Sequence, residues 1–220
     1  MLHVLHRDAN CLVIDKPAGR AVHPGPRTPD SLEDDLPDLA EGGRFVPAPV
    51  HRLDRDTSGC LLLARRRAAL IAFNALWAAR GVEKTYWAVV TGKVGGEAGV
   101  VDAALAKISS AARGWRMVVR GDGKAARTGW RVLARGDGAA LVEFRPETGR
   151  THQIRVHAGL LGEGCAVAGD PVYGDGVGGM ALHARGLGVP ALLGEAAFMV
   201  TAEPPEGFRA QMARFALTSG

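Results

Sequence analysis

Apolar residues in this chain gather in short runs broken by Gly, Pro, Asp and Asn, and this rhythm restricts the available folds more than any other feature. Runs of roughly four to eight residues between turn signals are of strand length. They occupy residues 2–5, 11–15, 60–64, 84–91, 115–120, 128–134, 139–144, 179–184 and 197–201. In 84–91 the alternation places Tyr86 and Ala88 on one face and Thr85 and Trp87 on the other. Polar turns link the runs, at 6–10 and at Arg135-Gly136-Asp137-Gly138, which reads as a hairpin. A helical period appears in three stretches. In 65–80, Leu70, Phe73, Leu76 and Trp77 share a face and Gly81 is the stop. In 151–161, Ile154, Ala158 and Leu161 share a face, with Thr151 as N-cap and Gly162 as stop. The third spans 206–217. Regular strand–helix alternation is missing, which excludes a Rossmann-like fold and predicts a mixed α+β chain rich in antiparallel hairpins.

A chain of 220 residues with 47% hydrophobic content can bury a substantial core as one large domain or a compact two-lobed one. No repeat and no linker divides it, so a single domain over 1–220 is expected. Residues 24–49, rich in Pro, Gly, Asp and Glu, read as a surface excursion with one helical turn around 31–39. The net charge is +4, a mild basic balance compatible with a polyanionic partner. Of the 27 basic residues only Lys16, Lys84, Lys93, Lys107 and Lys124 are not arginine, a bias that suits phosphate binding and equally suits a compositional habit of the genome. Cys11, Cys60 and Cys165 are scattered among small and aliphatic neighbours, which predicts buried thiols in a reducing compartment. With no signal peptide and no run of membrane-spanning length, a soluble cytoplasmic protein with no membrane partner is expected.

The polar run His51-Arg52-Leu53-Asp54-Arg55-Asp56-Thr57-Ser58-Gly59 is the most unusual chemically, because it packs two carboxylates and two arginines into five residues just before an apolar strand. On an extended backbone 52, 54 and 56 share a side and Leu53 anchors the other. A carboxylate beside arginine stays ionised, as a nucleophile or base must. A charged surface turn with local ion pairs accounts for the same spacing. In the second cluster, residues 147–155, Gly149 permits a tight entry and Arg150 precedes the positive end of a helix, where it and free N–H groups suit an anion. His152 and Arg155, three apart, share a face there; a capped, solvent-facing helix is the plainer alternative. Tyr86 suits stacking on a base, though a rim or core aromatic fits as well. His152 and His157 are five apart and no Cys-rich spacing exists, so no metal is expected. No Walker A sequence and no GxGxxG before a helix occurs, so no cofactor is expected. Asp54 and Asp56 are candidates for a glycosidase carboxylate pair, which adjacency alone does not establish.

Together these segments resemble the RluA-type RNA pseudouridine synthases. The resemblance runs in family order over nearly the whole chain: Lys16-Pro17-Ala18-Gly19 and Val22-His23-Pro24-Gly25, then His51-Arg52-Leu53-Asp54 with Thr57-Ser58-Gly59, then Lys84-Thr85-Tyr86. Gly123-Lys124-Ala125-Ala126-Arg127-Thr128, Thr148-Gly149-Arg150-Thr151-His152-Gln153-Ile154-Arg155-Val156-His157, Gly169-Asp170-Pro171-Val172-Tyr173-Gly174 and Leu182-His183-Ala184 follow. The resemblance implies a largely antiparallel sheet core with flanking helices and a central cleft. It implies Asp54 as the catalytic carboxylate, Arg150 as its ionic partner, Tyr86 stacked on uracil and Leu182 closing the apolar side of the pocket. Arg52 is implied to help extrude the base, with Arg155, His152 and Lys16 as further substrate contacts. The implied partner is structured RNA, a tRNA stem-loop or rRNA hairpin, acted on by a monomer with no obligatory protein partner. Two departures stand out: Val189-Pro190 replaces a common His-Pro, and no room precedes the catalytic motifs for a separate N-terminal RNA-binding domain. A non-catalytic RNA-binding protein and a nucleoside-cleaving enzyme are the competing classes; retention of Asp54, Tyr86 and Arg150 speaks against the first.

Overall fold

The structure, a computed structural model, describes residues 2–25, 30–40, 42–110 and 114–218. In chain order its elements are β1 (His3–Arg7), β2 (Cys11–Lys16), a 3-10 helix (Leu32–Ala40), β3 (Ala48–Pro49), β4 (Ser58–Ala64), α1 (Arg67–Ala78) and β5 (Glu83–Val94). Then come β6 (Ala98–Asp102), β7 (Leu105–Ser110), β8 (Gly114–Val119), β9 (Arg127–Gly136), β10 (Ala139–Pro146) and α2 (Gln153–Ala158). The chain ends with β11 (Gly162–Val167), β12 (Leu182–Val189), β13 (Phe198–Thr201) and α3 (Glu206–Arg214). The strands are largely antiparallel and the class is α+β, as the hairpin rhythm predicts. Two compact units emerge: Met1–Lys84 with Ala184–Pro204, and Thr85–His183 with Pro205–Gly220. The divisions fall inside the strands β5 and β12, so no loop or linker composition marks them.

In the first unit β2 pairs with β4 from Cys11 opposite Ala64 to Lys16 opposite Gly59. β1 flanks β2, and β12 lies beside β4 and pairs with β13. Every residue of β4 is buried, which explains its unbroken apolar run in place of alternation. Phe73 and Ala69 of α1 pack on Val13, Leu62 and Leu187, with Leu70, Leu76 and Trp77 at the edge of that cluster. The chain leaves α1 through Arg80 in the left-handed region (φ 59), and the Gly81 N–H returns to the Leu76 carbonyl at 2.9 Å. The stop thus begins one residue before the glycine. Around residues 31–39 the structure has a 3-10 helix that contains Pro37 and buries Leu32, Leu36 and Leu39, so this part of the excursion belongs to the core. Residues 26–29 and 41 of the excursion lie outside the described residues.

In the second unit β10 lies between β5 and β9, with β6 beyond β9 and β11 pairing with β5. The alternation in β5 holds. Ala88 and Val90 face a cluster with Phe144, Ile154, Ala158 and Leu161, while Val89 faces Phe208 and Met212 of α3. β7 and β8 form a separate two-stranded ribbon. Strands β6 and β7 leave little apolar pattern in the sequence because they are short and largely exposed, and β11 because only its second half, Cys165, Ala166 and Val167, is buried. The late strand starts at Leu182, not 179, because Gly178 and Gly179 sit at φ 80 and 84, away from the extended region.

Candidate active site

The polar run 51–59 leads from β3 into β4 and is held along its length. The Val50 N–H bonds to the Leu62 carbonyl at 3.0 Å, and the Thr57 N–H closes a turn on the Asp54 carbonyl at 3.1 Å. Leu53 is 4% exposed, so it is the anchor the alternation predicts, while Arg52 is exposed and Asp54 half-buried. His51 accepts the Leu62 N–H on Nε2 at 3.0 Å and stacks on Trp77, with centroids 4.1 Å apart and planes 13° apart. Burial, aided by the Lys84 charge, pushes its pKa down to about 3, so the ring is neutral with Nε2 as acceptor. Arg55 clasps both Asp56 oxygens at 2.9 and 3.1 Å. A local ion pair therefore exists in this run, and it engages the second of the two nominated carboxylates.

Lys16 corrects an expectation. Its side chain is fully buried, and Nζ donates to the carbonyls of Pro17 (2.7 Å), Arg20 (2.6 Å) and Arg55 (2.9 Å). Three donors on three backbone acceptors leave none for a substrate. The residue is a brace joining the 16–20 loop to the Asp54 loop, reinforced by the Gly19 N–H on the Arg55 carbonyl at 2.9 Å. Burial lowers the Lys16 pKa to about 8, against the opposing pull of the Asp56 and Asp54 charges.

In the second unit Tyr86 and Leu182 pack against one apolar cluster, beside Phe144 and Ile154. Arg150 lies just before α2, with its N–H on Gln153 Oε1 (2.9 Å) and its Nε on the Ala125 carbonyl (3.0 Å). The anion site expected from a capped helix at Thr151 is not formed. α2 has six residues and begins after His152, which is in the left-handed region at φ 53. The Arg150 N–H is already taken by Gln153.

What secures this motif is a buried polar network whose members the sequence reading left without roles. The Thr148 hydroxyl donates to Gln153 Oε1 at 2.7 Å. Gln153 Nε2 donates to the Arg127 carbonyl (3.0 Å) and to Thr128 Oγ1 (2.8 Å). Thr128 Oγ1 also lies 2.9 Å from His157 Nδ1, and His157 Nε2 lies 3.1 Å from the Ala103 carbonyl. Because a carbonyl only accepts, Nε2 carries the proton, and the Thr128 hydroxyl donates to Nδ1. Burial lowers the His157 pKa, consistent with this neutral tautomer. The available signal was Gln153 and His157 four apart, on one helix face.

Arg155 and His152 also differ from the expected substrate contacts. Arg155 is nearly buried and donates Nε and Nη2 to Asp170, both at 2.7 Å, with its guanidinium 5.2 Å from the Tyr173 ring centre. Burial raises the Asp170 pKa, but hydrogen bonds and charge from Arg155 and the Val172 and Tyr173 N–H groups outweigh it, leaving the carboxyl below its usual range. His152 Nδ1 meets the Tyr173 hydroxyl at 2.9 Å and its ring stacks on Trp115 at 4.9 Å. The Met117 N–H donates to the same hydroxyl at 2.9 Å, leaving the phenolic proton for His152. Both side chains thus brace the loop at Asp170–Tyr173. Arg52 and Asp54 belong to the first unit; Tyr86, Arg150 and Leu182 belong to the second.

A family model described as RNA pseudouridylate synthase matches residues 10–159. The chain belongs to this family. The synthase is 45% identical over 206 residues to an uncharacterized RNA pseudouridine synthase of Zymomonas mobilis, covering 92% of each chain. It is 38% identical over 205 residues to the ribosomal large subunit pseudouridine synthase C of Escherichia coli K12, covering 93% of this chain and 63% of that one. For the Vibrio cholerae protein of the same name the identity is 38% over 174 residues, spanning 78% of this chain and 53% of the relative. Among solved structures, the human RNA pseudouridylate synthase domain containing 4 superposes with a TM-score of 0.82 at 29% identity, over 98% of this chain and 94% of that one. The enzyme is accordingly an isomerase of the RluA type that acts on RNA.

Proposed function

We propose that the synthase converts particular uridines of a structured RNA, in a tRNA stem-loop or an rRNA hairpin, with Asp54 as the essential carboxylate. The observation that carries this reading is the bracing of the Asp54 loop, through buried Leu53, neutral His51 and the Lys16 ammonium on the Arg55 carbonyl. A loop fixed this way presents its carboxylate with little reorganisation, which is what pre-positioned catalysis requires. In the reaction the C1′–N1 bond breaks, uracil turns, a C1′–C5 bond forms and the C5 proton leaves, so substrate and product are isomers. Arg150, Tyr86 and Leu182 take the roles the family resemblance implies for them, as cationic partner of the carboxylate, uracil-stacking ring and apolar wall, and exposed Arg52 takes the place of the flipped base. Flipping costs least where a base is weakly stacked, which favours loops. The large-subunit names of the longer relatives make an rRNA hairpin the first substrate to examine. Action in the cytoplasm is part of the proposal and rests on three buried thiols, none in a disulfide.

The test is pseudouridine mapping of total RNA from cells lacking the gene, complemented with wild type or Asp54→Asn. Sites lost on deletion and restored by wild type alone identify the RNA and the carboxylate together. The purified Asp54→Asn protein should lose at least about a hundredfold in kcat with its melting unchanged. Equal restoration by both genes overturns the assignment.

A further inference from the structure

The turn between β1 and β2 gathers donor side chains that the uridine chemistry leaves unused. Asp8 Oδ1 accepts the N–H groups of Asn10 and Cys11, both at 2.7 Å, and the Asp8 carbonyl accepts Arg65 Nη1 at 2.7 Å. This fixes the carboxylate. Its other oxygen lies 3.1 Å from His6 Nε2 and 3.3 Å from Cys11 Sγ. The three donor atoms all lie within 4.8 Å of one another. The His6 ring is held by stacking on Phe198, with centroids 3.8 Å apart and planes 13° apart.

We infer that His6, Asp8 and Cys11 form a binding site for a borderline-soft divalent cation of the zinc class, with the fourth position left to solvent. Zinc takes nitrogen and oxygen at about 2.0–2.2 Å and thiolate at about 2.3 Å. The edges of such a tetrahedron measure about 3.3–3.6 Å by that geometry, so the separations from Asp8 need to change by only a few tenths of an ångström. Mixed imidazole, carboxylate and thiolate donors select zinc-like ions over magnesium or calcium, which prefer oxygen alone. Asn10 Nδ2 reaches the Leu193 carbonyl at 3.4 Å, which ties the hairpin to a turn closed by reciprocal backbone bonds between Leu192 and Glu195 (3.1 and 3.0 Å). Cys11 is a buried free thiol, and the fixed Asp8 carboxylate beside it supplies the negative charge that attracts a dication. On binding, the metal–sulfur bond replaces the S–H bond and one proton goes to solvent. The site clamps the hairpin whose second strand ends at Lys16, the brace of the Asp54 loop.

Cobalt(II) is the probe, because its thiolate complexes are coloured. Metal-free full-length protein titrated with cobalt should develop one equivalent of a near-ultraviolet thiolate-to-metal band with the visible bands of a four-coordinate ion, and zinc should bleach both. Cys11→Ser should abolish the thiolate band, and His6→Gln, at a partly exposed position, should weaken binding at least about tenfold. Cys60→Ser and Cys165→Ser should change neither. Zinc should raise the unfolding midpoint of wild type and not that of His6→Gln. Absence of the band at stoichiometric cobalt, its persistence in Cys11→Ser, or unweakened binding by His6→Gln overturns the inference.

Discussion

Lys16 is an ammonium sealed from solvent and held by the carbonyl oxygens of Pro17, Arg20 and Arg55. Its pKa is 10.5 when unperturbed and about 8 here, with burial the leading cause. Between those values the unfolded chain retains a proton that the folded one has released, so this group makes stability rise with pH across that window. The loop responds in the opposite sense, because a neutral amine has two N–H groups for three carbonyls. Activity should therefore decline above pH about 8 with an apparent pKa near that value, while the melting midpoint does not fall with it. Lys16→Met should be weakly active at every pH and should lack this limb; a pH–kcat profile in which the variant keeps it removes Lys16 from the role of brace. From sequence Lys16 reads as a substrate contact. A lysine is seldom buried without a charged partner, and the three carbonyls that accept it come from chain 1, 4 and 39 residues away.

Among elements, the approach of β4 to β12 depends on Gly59. This residue has φ +105, and a Cβ there would run into the backbone of Ala184 in the same unit. Gly138, in the β9–β10 turn, has φ +70 with open space around the missing side chain. The two glycines separate backbone strain from steric exclusion. Gly138→Ala should cost about 1–2 kcal/mol, the penalty of a left-handed L-residue. Gly59→Ala adds a backbone clash and should cost more than about 3 kcal/mol or abolish soluble expression. Denaturant midpoints of the two variants check this, and equal midpoints would remove the close approach as the reason for Gly59. The elements themselves were largely legible. The α1 face and the β5 alternation appear in the packing as read, since periodicity reports which side of an element is buried. α2 was not legible in its length, because Gln153, Arg155 and His157 are buried polar residues whose partners are long-range in sequence.

For the whole molecule, the net charge is +4 and most basic residues are arginine, a balance that favours long-range attraction to an RNA backbone. If about three phosphates of a single-stranded loop are contacted, KM should rise about tenfold or more between 50 and 200 mM salt, with kcat at saturating RNA unchanged. A salt-independent KM would mean that shape and stacking, not phosphate contacts, carry the affinity. The sequence by itself determined the α+β class, the local elements with strong periods, the family and the order of its motifs, because each is written in neighbouring residues. Only the tertiary structure decided that Lys16 and Arg155 are braces, that Gln153, Thr128 and His157 lock the arginine motif, and that His6, Asp8 and Cys11 converge on one turn. Residue type states what a side chain is able to bond. Which bond it makes depends on the return of the chain, and burial then enforces it, since a buried polar group must find a partner.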